Sequence, residues 1–133
     1  MTRYLLDTDT CIYALKHKHG VLGRMLAKPR DSIHLSVITE SELRFGVAKS
    51  KSAAQALKLL ENFLRPLQVL EYDSGDAIAY ARIREALESK GKPIGPLDTL
   101  IAAQAVARDL TLVTNNEREL RRVAGLHVES WAD

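Results

Sequence analysis

Short apolar runs that stop at a polar residue and hand over to helical spacing recur along this 133-residue chain, and they leave few folds open. Tyr4-Leu5-Leu6 ends at Asp7, after which Ile12, Tyr13 and Leu15 follow at helical spacing. Ile33, Leu35 and Val37 alternate with His34 and Ser36; Val69-Leu70 stops at Asp73-Ser74-Gly75; Leu110, Leu112 and Val113 run into Thr114-Asn115-Asn116. Helical patterns fill the gaps: Val21 to Leu26, Thr39 to about Lys49, Leu57 to Leu64, Ala77 to Leu87, and Leu97 to about Arg108. One more helical turn carries Leu120 and Val123, and His127 to Ser130 reads as an edge strand. Strands alternating with helices predict an α/β fold. The expected architecture is a three-layer sandwich, a four- to five-stranded parallel sheet flanked by helices, in a single domain over residues 1–133.

Composition narrows the function classes only slightly. A net charge of +2 is too weak to argue for a polyanionic partner by itself. The single cysteine, Cys11, excludes a disulfide framework and reads as a small buried residue on the first helix. No apolar run approaches the roughly 18 residues of a membrane span, and Asp7 and Asp9 interrupt any signal-peptide core, so a cytoplasmic protein is expected.

The seventeen acids carry more information. Glu40 has Arg44 four residues on, an ordinary surface pair. Glu42 shares a helix face with Ile38, Phe45 and Gly46 and no cation, although it also stands three residues after Thr39 at the spacing of a capping box. Pro96 suits a first helical position, which puts Asp98 in the first turn of an unusually apolar helix and points its carboxylate into a polar pocket. Asp7 and Asp9 precede the same helix, and Asp7 lies directly at a strand end, where ligands bind in open α/β sheets. Asn116 and Glu119 have cap spacing but also follow a strand. Crowded carboxylates repel unless a hard divalent ion relieves them, and such an ion hydrolyses phosphodiesters. The acids point to a metal-dependent nuclease centre.

Several stretches together resemble the PIN-domain ribonucleases, specifically the toxins of VapBC toxin–antitoxin systems. They are Tyr4-Leu5-Leu6-Asp7-Thr8-Asp9 with Cys11-Ile12-Tyr13, Ser36-Val37 leading to Glu42-Leu43 and Gly46, and Gly91 to Asp98 with Ile101-Ala102-Ala103. Leu112 to Asn116 and Val128-Glu129-Ser130-Trp131 complete the match across almost the whole chain. The resemblance implies a PIN-like fold and a Mg²⁺- or Mn²⁺-dependent endoribonuclease. Asp7, Glu42 and Asp98 match the family's three core acids, with Asp7 and Asp98 as metal ligands. Asn116 matches a fourth position that is often Asp, which leaves open whether one metal ion or two take part. Thr8, Thr114 and Glu119 match supporting positions. Structured RNA is the implied substrate, tRNA anticodon stem-loops above all. A homodimer and a tight antitoxin partner are implied too, the antitoxin laying a helix in an apolar groove for which Leu22, Met25, Leu57, Leu60 and Phe63 are candidates.

The mechanism expected is in-line attack by water, with Glu42 ligating the metal or orienting its water, giving 5′-phosphate and 3′-hydroxyl ends. Lys16, Arg44, Lys49 and Lys92 are candidates for contacts to RNA phosphates. Two rival readings remain. Asp7-Thr8-Asp9 also opens like the nucleophile motif of haloacid-dehalogenase-like phosphatases, but Cys11 stands where Thr or Val belongs and the downstream lysine and paired Asp are missing. A PIN-like fold kept only for binding is the other.

Overall fold

The computed structural model describes residues 1–133. Five strands form one wholly parallel sheet: β1 (Tyr4–Leu6), β2 (Ile33–Ser36), β3 (Gln68–Leu70), β4 (Thr111–Val113) and β5 (His127–Glu129), in the order β3-β2-β1-β4-β5. Side chains of a strand alternate between faces, and the two faces are covered by different helices. Tyr4 and Leu6 of β1, with Ile33 and Leu35 of β2, pack beneath α1 (Thr8–Leu15), α2 (Val21–Leu26), α3 (Val37–Ala48) and α4 (Ala53–Leu64). Leu5 and Leu112 point the other way, into α5 (Ser74–Ser89), α6 (Pro96–Ala107) and α7 (Glu117–Leu120). The outcome is the expected three-layer sandwich. No helix is long and apolar enough to cross a membrane.

Cys11 is fully buried on α1, as expected of a small core residue. The chain's end folds back onto the first core: Trp131 is buried with its ring 5.1 Å from that of Tyr4, edge to face.

Three local expectations are corrected. Val37 continues the β2 apolar pattern but begins α3, because Ser36 caps the helix and its hydroxyl accepts from the Ile38 amide at 3.1 Å. Thr39 therefore lies inside the helix, buried, and caps nothing; Glu42 is not the partner of a capping box. Asp73-Ser74-Gly75 is more than a turn. Asp73 caps α5, and Asp76 reciprocates from the third helical position.

Candidate active site

The chain builds the sheet outward from β1 to β2 and β3, then returns to lay β4 and β5 on the other side of β1. The direction of growth reverses between β1 and β4, and the crevice beyond the carboxyl ends of such strands is open to ligands because the following helices diverge. Asp7 follows β1 directly and Thr114 follows β4.

Asp7 is held from several sides. Its amide donates to the Val113 carbonyl at 3.0 Å, and its carboxylate caps α1 by accepting from the Thr10 amide at 2.9 Å. Thr10 is anchored in turn, its hydroxyl donating to the Val113 carbonyl at 3.1 Å. Only 6% of Asp7 is exposed. That burial pushes its carboxyl up to about 6, with the charge of Asp9 adding to the rise, while hydrogen bonds from Thr114 and Thr10 act in the opposite sense.

Glu42 projects from α3 toward the same place and accepts a hydrogen bond of 2.6 Å from the Thr8 hydroxyl, so Thr8 fixes its orientation. Its apolar neighbours are only partly a core face: Ile38 packs against the second core, whereas Phe45 is 65% exposed and with Gly46 lines an open groove. Asp98 stands in the first turn of α6, half-buried. Burial is the first reason its carboxyl lies above the usual range; the charges of Glu119, Asp9 and Glu42 push the same way, and Asn116 opposes them. The spacing of Asn116 and Glu119 looks like a cap, yet Asn116 makes no capping bond to α7. Its carboxamide donates instead to Glu119 at 2.6 Å and to Asp98 at 3.4 Å, while its own amide donates to the Thr114 hydroxyl at 3.0 Å.

Acids from α1, α3 and α6 thus line one pocket of about 300 Å³, formed by Asp7, Thr8, Asp9, Glu42, Asp98 and the Gly95–Leu97 turn. Asp9, the lesser candidate in sequence, sits on its wall; no sequence signal separated it from an ordinary first-turn acid. The chain's six ion pairs all lie elsewhere, so none of these carboxylates has a basic partner. Unpaired, partly desolvated oxygens are the donor set a hard cation takes. No three acidic, His or Cys side chains are drawn tightly enough together to hold an ion on protein donors alone. Magnesium needs no such cage, since it commonly keeps several waters and binds one or two carboxylates. Asp7 and Asp98 fit that role. No lysine lines the pocket, which leaves the phosphatase reading without its cation.

The candidate RNA contacts are spread out. Lys16 and Lys49 border the apolar groove, Arg44 is paired with Glu40 at 2.7 Å, and Lys92 is exposed on the loop before α6. That groove, about 1030 Å³, runs between α1, α3 and α4 and is lined by Ile12, Leu15, Ile38, Phe45 and Leu59 among others. Of the five residues expected to form the groove, Leu60 lines it, whereas Met25 is buried, Leu22 and Phe63 pack against the core, and Leu57, 37% exposed, lies outside its lining. Thr8, Asp9, Glu42 and Leu97 line both the groove and the acidic pocket.

A PIN domain model matches residues 4–126. The tRNA(fMet)-specific endonuclease VapC of Salmonella typhimurium is 39% identical over 131 residues, covering 98% of this chain and 99% of that protein. Ribonuclease VapC2 of Rickettsia felis is 38% identical over 130 residues, 96% of this chain and 97% of the relative. The chain belongs to the VapC family of PIN-domain ribonuclease toxins. Among solved structures, DNA-bound VapBC from Salmonella typhimurium superposes with a TM-score of 0.93 at 38% identity, covering 99% of this chain and all of that one, 100%.

In this PIN domain the buried Asp7 works against the fold. Its folded value near 6 exceeds the unfolded value of 3.8, so between pH 4 and 6 the native state binds the extra proton and stability falls as pH rises. Asn at position 7 keeps the cap and removes the charge. Asp7→Asn is expected to stabilise the metal-free chain at pH 7 by about 1–3 kcal/mol, with the gain vanishing near pH 4. Urea denaturation at the two pH values measures it; a destabilised variant at pH 7 would contradict it.

Proposed function

We propose that this chain is a metal-dependent endoribonuclease, the toxin of a type II toxin–antitoxin pair, acting in the cytoplasm on structured RNA. The observation that carries the reading is the meeting of Asp7 and Asp9 at the start of α1, Glu42 of α3 and Asp98 of α6 in one pocket without a basic partner. Family membership supplies the class of substrate. Two relatives, from Salmonella typhimurium and Shigella flexneri, are tRNA(fMet)-specific endonucleases at 39% and 36% identity, and a tRNA anticodon stem-loop is the substrate we assign.

Asp7 and Asp98 would hold Mg²⁺, or Mn²⁺ in its place. The ion supplies Lewis acidity, neutralising phosphate charge and activating water. Glu42, fixed by Thr8, orients the attacking water and takes its proton. Asn116 ties Asp98, which lines the pocket, to Glu119 behind it and so positions the Asp98 carboxylate. Because protons compete for Asp7 near pH 6, cleavage is expected to weaken as pH falls through that value.

The apolar groove suits the antitoxin. Its continuity with the acidic pocket lets a helix lying in it present a basic side chain to Asp9 and Glu42. Solved relatives from Salmonella typhimurium and Rickettsia felis are VapBC complexes. A homodimer belongs to the same reading.

The test is incubation of purified protein with tRNA and Mg²⁺, followed by analysis of the new ends. Attack by water leaves 5′-phosphate and 3′-hydroxyl ends. A 2′,3′-cyclic phosphate would mean that the ribose hydroxyl attacked, and metal-independent cleavage or none would remove the reading. Intact RNA would favour a fold retained for binding.

A further inference from the structure

A second pocket, of about 270 Å³, lies across the Gly95–Pro96 turn from the acidic one. Pro96 lines both pockets, and the successive residues Asp98 and Thr99 of α6 face one each. Leu87, Pro93 and Ile94 give the second pocket apolar surface, and Tyr80 of α5 gives it a ring. The Arg84 guanidinium stands 6.0 Å from the Tyr80 ring centroid, donates to the Tyr80 hydroxyl at 2.9 Å and pairs with Glu88 at 2.8 Å.

Most other rings of the chain are already engaged. Tyr4 and Trp131 pack on each other, Tyr13 packs on His19, Phe63 lies against the core and the Tyr72 hydroxyl is bound to the Leu100 carbonyl. Tyr80 also packs one side against the second core, as Phe63 does against the first, but it lines a pocket beside the acidic one; Phe45, the other ring beside the site, lies in the groove suited to a partner helix. Proteins that read RNA loops stack splayed bases on aromatic rings and guanidinium planes, and this pocket shares Pro96 with the acidic one.

We propose that the Tyr80–Arg84 pocket receives an unpaired base next to the scissile phosphate, making Tyr80 a specificity-determining residue. This rests on the ribonuclease reading. The base stacks on Tyr80 against the Leu87, Pro93 and Ile94 surface. Arg84 exchanges its exposed pair with Glu88, which contributes little, for the adjoining phosphate.

The experiment uses the full-length chain with Mg²⁺ and an anticodon-type hairpin RNA carrying 2-aminopurine at the loop position beside the cleaved bond. Tyr80→Leu is expected to lower kcat/KM about 10-fold, mainly through KM, and to abolish the fluorescence quenching that marks a stacked base. Tyr80→Phe should retain both rate and quenching, because the ring and not the hydroxyl does the stacking. Arg84→Gln should reduce the slope of log affinity against log salt by about one. Melting curves show that each variant is folded. A Tyr80→Leu chain with unchanged KM and quenching, or a Tyr80→Phe chain as impaired as Tyr80→Leu, would overturn the proposal. Wild-type protein that leaves the hairpin intact would instead overturn the ribonuclease reading beneath it.

Discussion

Asp98→Asn is expected to lower RNA cleavage by more than about 100-fold while leaving the chain folded, a larger loss than removal of an outer-shell partner of a metal site causes. The carboxylate is half-buried, and its charge is opposed by Glu119, Asp9 and Glu42. Its removal therefore relieves the fold, and Asn can still accept from the Asn116 carboxamide that reaches Asp98 at 3.4 Å. What the variant loses is an anionic oxygen facing the pocket. Initial rates on tRNA at saturating Mg²⁺, with circular dichroism on the same sample, measure the effect. Activity within a few-fold of wild type would take Asp98 out of the chemistry.

Arg108→Ala is expected to destabilise the chain by about 3–5 kcal/mol without touching the acidic pocket, because it leaves a buried charge unpaired. Arg108 donates to the Asp76 carboxylate at 2.9 and 3.2 Å and to the Glu71 carbonyl at 2.6 Å, and Gln104 donates to Asp76 at 3.1 Å. These bonds join the end of α6 to the start of α5 and the exit of β3. Asp76 is only 1% exposed. Burial alone would raise its carboxyl, but Arg108, the Asp73 amide and Gln104 together hold it below the usual range. A depressed folded value means that this stability is present above the unfolded value of 3.8 and is lost as pH falls through the folded one. The difference between wild type and Arg108→Ala should therefore be full at pH 7 and shrink as pH falls, because the variant's Asp76, buried without its guanidinium, takes up a proton first. Urea denaturation at pH 7 and pH 3.5 reads both, and a pH-independent difference would contradict the pairing.

The site's frame was legible in the sequence where local pattern and chemistry agree. The apolar run ending at Asp7 and the Pro96 start of an apolar helix fixed where two carboxylates stand, because strand ends and first turns have few alternative geometries. Asn116 and Glu119 were ambiguous for a physical reason: a spacing of three serves a capping box and a carboxamide–carboxylate contact equally well. The backbone of Asn116, at φ −103° and ψ 47°, decides for the second. Val37 misled because a β-branched residue after Ser36 extends a strand pattern, whereas the Ser36 hydroxyl captures the Ile38 amide and starts the helix. The buried role of Asp76 was hidden because Arg108 lies 32 residues away in sequence. Helical periodicity likewise found the apolar residues of α4 but not their coverage. Leu60 and Leu64 are buried, while Leu59 is 61% exposed beside the groove.

The most direct measurement is the thermal midpoint of wild type and Asp7→Asn,Asp98→Asn chains, without RNA, across a Mn²⁺ titration at pH 7. An ion that binds only the folded pocket raises the midpoint with concentration. The expected result is a rising, saturable midpoint for wild type and a flat one for the double variant. A flat wild-type curve at millimolar Mn²⁺, or the same rise in both proteins, would show that these carboxylates do not form an ion site.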